Sequence, residues 1–382
     1  LIQHLFPRYS NVVFDPVIDV GNARKDPDLF LDNHPPPLIL DEIQYAPELV
    51  PALKRRIDLH KKPGSYILTG SQQWAVLKTV SESLAGRSVF ADLEGFSLAE
   101  MAEDAVGPSW LNRWLADPDA FVAQPSLCRS PKRTLNEQLW RGWLPQANDI
   151  SLDLLPAFHA AYLRTYIERD VRLLADVDDW QLFGRFVQLT SALNACEVNY
   201  SHLGRDIGIT PQTARRWLAL LRATFQWYDV PAYCGNATKR ISGKPKGYVA
   251  DTGLACHLQQ ISSPTALGGH PQVGSLFESA VVAEIRKCSA LESVPPALYH
   301  WRTHGGAEID LLLERDGTFY PLEIKMTTRP SRKDTRGFDA FRSTYPGLTI
   351  APGLVVTPGM TNQQSALMKL SERDYALSWQ IV

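Results

Sequence analysis

The sequence predicts a multi-domain α/β protein, and three observations carry that expectation. At 382 residues the chain is too long for one ordinary domain. Near its start, two short apolar runs flank a stretch with helical periodicity, which is a βαβ pattern. Near its end, two apolar runs separated by Asp316-Gly317 read as a β-hairpin. The composition, 45% hydrophobic and 21% charged, is that of a globular protein.

Bulk properties exclude several function classes. A formal net charge of −2 gives no global nucleic-acid signature, so any such role must come from a local patch. No apolar run approaches the roughly 20 residues of a membrane span, and no signal peptide opens the chain, so no membrane partner is expected. The five cysteines (Cys128, Cys196, Cys234, Cys256 and Cys288) are scattered and lack CxxC spacing. That pattern argues against a zinc site or a disulfide framework and for a reducing, cytoplasmic setting. The chain opens on Leu1 and reads as beginning mid-domain.

In order along the chain, Val12–Asp15 is a short strand candidate and Asp26–Asp32 a short helix. Pro35-Pro36-Pro37 then hands over to Leu38-Ile39-Leu40, an apolar run ending in paired acids, Asp41-Glu42. Such a run suits a strand buried on both faces of a parallel sheet. Carboxylates at its carboxyl end fall in the crevice where open α/β sheets bind ligands. In nucleoside triphosphatases the first acid would hold Mg²⁺ and the second would orient the attacking water. A solvated acidic turn after a buried strand would use the same residues without chemistry. Glu48–His60 has helical spacing, and Ser65–Ser71 is a second strand, so the two strands should be parallel neighbours with Thr69 and Ser71 beside Asp41-Glu42.

The stretch from about 107 to 198 reads as helical, with Trp110, Trp114, Trp140, Trp143 and Trp180 expected in the core and Phe158–Ala175 as one amphipathic helix. Two short helices then meet at Gly208-Ile209-Thr210-Pro211, with Thr210 as cap and Pro211 at the first helical position. This is a helix-turn-helix pattern, winged by the 228–249 region. Its second helix carries Arg215, Arg216 and Arg222, which could contact nucleic-acid phosphates. Gln260–Gly274 is the most linker-like stretch.

The C-terminal hairpin carries Asp310 and Glu323-Ile324-Lys325. Period-2 alternation puts Glu323 and Lys325 on one face, and Asp310 can project beside them from the partner strand. Two carboxylates that hold Mg²⁺ and a lysine that neutralises charge are what a metal-dependent phosphodiesterase needs. The upstream helix, read as Leu276–Cys288, supplies Glu278 as a further acid. Surface charge on a hairpin is the plainer use of the same residues.

The order of LILDEIQ, YILTGSQQ, SLAGRSVFADLEGFSLAE, YLRTYIERDVRLL, KRISGKPKGYVADTGLACHL, GSLFESAVVAEI, AEIDLLL and LEIK resembles the AAA-superfamily ATP-binding proteins that carry a C-terminal DUF4143 region. The resemblance spans nearly the whole chain. It implies a P-loop-type parallel sheet at residues 1–105 and a helical, winged-helix middle at 106–258. A linker at 259–274 and a restriction-endonuclease-like domain of the PD-(D/E)xK type at 275–382 complete it. It implies ATP and Mg²⁺ as cofactors, with Asp41 and Glu42 as the Walker B acids, Thr69 and Ser71 in the sensor strand end, and Arg87 able to reach a phosphate. It also implies Glu278, Asp310, Glu323 and Lys325 as the nuclease-like set, with DNA, or a protein bound through the winged helix, as partner. One departure stands out. The family's GxxxxGK[ST] phosphate loop is absent from this sequence, since Gly243-Lys244 is followed by Pro245. The nucleotide domain is therefore expected to be truncated and to bind ATP weakly or not at all without that cradle.

Overall fold

In a computed structural model of the chain, the described residues are all except 16–19, 71–83, 104–106, 125–131, 168–170, 172–176, 178, 236–242, 304, 361–365 and 382. The fold is mixed α/β and divides into two compact units.

The first unit comprises Leu1–Leu93, Arg164–Asp178 and Ala219–Phe225. Its sheet has three parallel strands in the order β1 (Ser10–Val13), β2 (Leu38–Asp41), β3 (Tyr66–Leu68). The central strand is the unbroken Leu38-Ile39-Leu40 run, which is at most 2% exposed; a strand covered on both faces needs apolar residues at consecutive positions. The crossovers are helical, as the sequence pattern requires. Helix Pro27–Asn33 starts where Asp26 accepts from the Leu29 N–H at 3.0 Å, with Pro27 at the first helical position. Helix Leu49–His60 buries Leu49, Val50, Ala52 and Leu53 and stops at Lys61, whose φ is +47°. Phe14, Phe30, Leu38, Leu40 and Leu53 share one core.

The second unit comprises Glu94–Leu163, Asp179–Leu218 and Gln226–Val382. Trp110, Trp114, Trp140 and Trp143 are buried, as expected of tryptophans at amphipathic helical spacing, whereas Trp180, also expected in the core, is only half-buried at the first position of its helix. The single helix expected over Phe158–Ala175 is instead an α-helix, Leu155–Tyr162, running into a π-helical turn, Leu163–Ile167, whose residues from Arg164 on are assigned to the first unit. It begins earlier because Pro156 suits the first turn; most of the remainder lies outside the described residues. Helix Trp180–Ala192, strand β4 (Cys196–Glu197), helices Tyr200–Ile207 and Pro211–Ala223 (the latter assigned to this unit only as far as Leu218), and strands β5 (Trp227–Val230) and β6 (Lys246–Val249) follow. Gly208, at φ +79°, makes the left-handed turn between the paired helices, and Thr210 accepts from the Thr213 N–H at 3.1 Å. The three strands pair antiparallel in the order β4-β6-β5.

The stretch expected to be a linker is packed. Within 259–274, Ser263 caps a helix, Pro264–Gly268, that buries Leu267, and the Trp140 indole donates to the Ile261 carbonyl at 2.7 Å. Serine and proline here serve as cap and first helical residue instead of turn breakers. The next helix, Val273–Ala290, is longer than the expected Leu276–Cys288. It precedes a mixed sheet in the order β12-β13-β11-β9-β8-β7, with β10 also on β9. The hairpin is β8 (Glu308–Arg315) and β9 (Thr318–Ile324), joined at Asp316 (φ +53°) and Gly317 (φ +76°). Positive φ at both central residues is the turn that Asp-Gly favours. The other strands are β7 (Ala297–Arg302), β10 (Thr349–Ile350), β11 (Leu354–Thr357), β12 (Leu367–Lys369) and β13 (Tyr375–Ser378). β11 pairs parallel with both β9 and β13.

Candidate functional site

Each unit holds one of the acidic groups that the sequence singles out. In the first, β2 delivers Asp41 to the carboxyl end of the parallel sheet. Asp41 Oδ1 accepts from the Glu42 N–H at 3.1 Å and from the Thr69 hydroxyl on the neighbouring strand end. Backbone bonds fix that pairing: Thr69 N–H to Leu40 O at 3.0 Å and Ile43 N–H to Thr69 O at 3.1 Å. Glu42 has φ +58°, in the left-handed region that costs a non-glycine residue about 1 kcal/mol. The turn brings its carboxylate to the Gln44 side-chain amide, which donates to it. Asp41, Glu42 and Thr69 thus gather at one sheet edge; Ser71 lies outside the described residues. Arg87 is held elsewhere. Its guanidinium forks onto Asp58 of helix Leu49–His60, and this hydrogen bond lowers the Asp58 pKa. A cleft of about 570 Å³ in this unit is lined by Asn11, Lys25, Asp26, Phe30 and His34 among others, and not by Asp41, Glu42 or Thr69.

In the second unit, the hairpin register sets Leu311 opposite Leu322, and continuing it faces Asp310 with Glu323. Both carboxylates are buried, and each is tied to the other strand's backbone. The Asp310 N–H donates to Glu323 Oε2 at 3.3 Å, and the Ile324 N–H donates to Asp310 Oδ2 at 3.0 Å. Lys325 Nζ sits 2.5 Å from Glu323 Oε1 and 4.0 Å from Asp310 Oδ2. Glu278, on helix Val273–Ala290, joins the same cluster through Lys246 of β6. The Lys246 ammonium is 2.5 Å from Glu278 Oε1 and 3.0 Å from Asp310 Oδ1. The Tyr248 hydroxyl donates to Glu278 Oε1 at 2.8 Å.

Burial dominates the electrostatics. It pushes Glu323 up to about 8 and Glu278 up to about 7, with the Asp310 carboxylate adding to both and the lysines opposing. Burial also works against the two ammonium groups, but their carboxylate partners outweigh it and both lysines end above the ordinary lysine value. Glu308, two residues before Asp310 on the same strand face, completes a trio with Asp310 and Glu323 whose ligand oxygens lie within 4.8 Å of one another. Closely spaced carboxylate oxygens fit a hard divalent cation such as Mg²⁺.

Of the residues expected to act together, Asp310, Glu323, Lys325 and Glu278 form one contact network. The sequence reading missed Lys246, Tyr248 and Glu308. Period-2 alternation from Asp310 back to Glu308 was a usable signal, whereas Lys246 meets Asp310 across 64 residues and has no local signature. On helix Pro211–Ala223, Arg215 and Arg216 are exposed beside the buried Ala214, Trp217, Leu218 and Leu221, and Arg222 is half-buried.

Residues 2–102 match the AAA domain model, and residues 273–372 match DUF4143, a domain of unknown function. The chain joins an AAA domain to a DUF4143 domain. Between them, residues 132–265 match DUF8612, also a domain of unknown function. The chain is 28% identical over 306 residues to uncharacterized proteins of Mycobacterium bovis (Mb2031c) and Mycobacterium tuberculosis (Rv2008c). The match covers 80% of the chain and spans 62% of the length of those relatives. Among solved structures, the McrB AAA+ hexamer assembly with bound McrC from Thermococcus gammatolerans is 11% identical, covering 86% of this chain and 88% of that one at a TM-score of 0.21. Protein VC1899 from Vibrio cholerae is 11% identical, covering 92% and 82%, at 0.16. Both scores are too low to define a shared fold. Among the described residues, no helix is long and apolar enough to cross a membrane.

Proposed function

We propose that the protein is an AAA-type ATP-binding switch or ATPase whose effector parts are a winged helix and a nuclease-like domain. The observation that carries this reading is the meeting of Asp41, Glu42 and Thr69 at the carboxyl end of a parallel sheet. There Asp41, buttressed by the Thr69 hydroxyl, would serve the Mg²⁺ side of a bound nucleotide. Glu42 would orient the attacking water. The 382 residues contain no GxxxxGK[ST] loop, so they supply the metal and water side of a nucleotide site without the backbone cradle for its phosphates. Mg²⁺-dependent ATP binding by these 382 residues together with any natural sequence upstream of Leu1 tests the reading. Absence of binding with Mg²⁺ present rejects it.

A second reading is favoured by the Asp310–Glu323–Lys325 geometry: Mg²⁺-dependent phosphodiester hydrolysis in the DUF4143 segment. Magnesium bound at Asp310 and Glu323 would supply charge neutralisation and a more acidic water. Lys325, half-exposed at the rim and anchored on Glu323, would offer its ammonium to a phosphate oxygen. The helix–strand–helix–helix–strand–strand order across the described residues of 180–249 supports a winged helix, with Arg215 and Arg216 exposed on its second helix to meet DNA phosphates and Arg222 half-buried near that helix's end. The same surface could instead receive a protein partner. Nuclease activity present in wild type and lost in Asp310→Ala would support hydrolysis; equal activity in both would point to a contaminant.

A further inference from the structure

The cluster at Asp310 already has a cation on one side, and the middle segment of the chain supplies it. Lys246 bridges Glu278 and Asp310 at 2.5 and 3.0 Å and is only 15% exposed. Its strand, β6, is the central one of three, with residue 246 opposite Glu197 on one side and Val230 on the other. The next residue must be glycine, because a Cβ at Gly247 would fall 2.1 Å from the Trp227 ring and 2.9 Å from Val198. That close packing fixes the strand so that Lys246 and Tyr248, two apart and therefore on one face, both reach Glu278 Oε1.

The face is braced further. Tyr248 stacks on Tyr228, with centroids 5.4 Å apart, and the Arg286 guanidinium lies 3.9 Å from the Tyr228 ring centroid. The sheet is also tied to β7 of the DUF4143 segment, through Tyr233 N–H to His300 O at 2.7 Å and His300 N–H to Pro231 O at 2.9 Å. Lys325 differs in kind. Its side chain is 35% exposed, and it reaches the acids from the rim.

Building on the reading of Asp310 and Glu323 as a divalent-cation site, we propose that Lys246 is the resident cation of the Glu278 side, so that Glu308, Asp310 and Glu323 hold a single divalent ion and Glu278 is not a ligand. Paired metal ions in phosphodiester chemistry sit roughly 4 Å apart and need carboxylates on both sides. Here the second position, between Glu278 and Asp310, is filled by an ammonium held on a rigid strand. Buried carboxylates require such a counter-charge. The middle segment therefore sets the ion count of a site in the segment that follows it, and Lys246 acts as a positioning residue.

Mn²⁺ titration of the whole chain, read from the EPR signal of free Mn²⁺, tests this without any turnover. Wild type is expected to bind one ion, Glu308→Gln and Asp310→Asn to weaken it at least about tenfold, and Glu278→Gln to leave it within about twofold. Lys246→Gln is expected to admit a second ion. Loss of affinity in Glu278→Gln comparable to that in Asp310→Asn overturns the proposal, and this variant keeps a hydrogen-bonding group should Lys246→Gln fail to fold. One ion in a folded Lys246→Gln overturns it too. If Asp310→Asn binds like wild type, or wild type binds nothing, the cation-site reading itself falls and the proposal with it.

Discussion

The Thr69 hydroxyl donates to Asp41 Oδ1 across two neighbouring parallel strand ends. The bond orients the carboxylate that the AAA reading gives to the metal side. Thr69→Val keeps the side-chain shape and removes the donor, so it should cost about 1 kcal/mol of stability in urea unfolding. Thr69→Ser should recover most of that loss.

A stronger structural dependence sits in the C-terminal sheet. Asp374, fully buried, accepts from both terminal nitrogens of Arg342 at 3.0 and 2.5 Å, from the Gly353 N–H at 2.9 Å and from the Ser371 hydroxyl at 2.9 Å. Asp374→Ala strands the guanidinium and a backbone donor, and should destabilise the second unit by about 3–5 kcal/mol. Calorimetric melts would register this, and a change below about 1 kcal/mol would mean that the network is not closed as described.

These two neighbourhoods differ in how far the sequence disclosed them. Leu38–Asp41 was legible because a strand covered on both faces must be apolar at consecutive positions, and only the turn beyond it can take acids. The hairpin was legible because Asp316-Gly317 supplies two positive φ angles where no bulkier pair would. The packed helix at Pro264–Gly268 was hidden because serine and proline punctuate loops and start helices alike. Lys246 was hidden for another reason. Its partners lie 32 and 64 residues away, and from sequence it is one more lysine in a basic, glycine-bearing stretch. Arg87 shows the converse, since a motif arginine that looked able to reach a phosphate is paired with Asp58.

Acidity of the buried glutamates gives a pH signature. Glu278 at about 7 and Glu323 at about 8 lie above the ordinary glutamate value of 4.5, so the folded chain holds protons that the unfolded chain releases. Stability from this source is complete below about pH 4.5 and is lost as pH rises through 7 and 8. The slope is at most about 1.4 kcal/mol per pH unit for each group. Melting temperature between pH 5 and 9, without divalent cations, should fall more steeply in wild type than in Glu323→Gln. Parallel curves would place the proton elsewhere.

Contact between helix Pro211–Ala223 and nucleic acid has a salt signature. If Arg215 and Arg216 each meet a phosphate, charge reversal at either should weaken duplex binding and reduce the slope of log affinity against log salt by about 0.9 per lost contact. Fluorescence anisotropy across a salt series measures this. Binding without salt dependence would favour a protein partner for that surface.

Mg²⁺-ATP binding by the chain together with any natural sequence upstream of Leu1, followed by isothermal titration with wild type and Asp41→Asn, tests the central claim most directly. The account predicts binding in wild type that strengthens with Mg²⁺ and loses that Mg²⁺ dependence in Asp41→Asn. No binding by the wild-type protein in saturating Mg²⁺, or identical Mg²⁺ dependence in the variant, would contradict it.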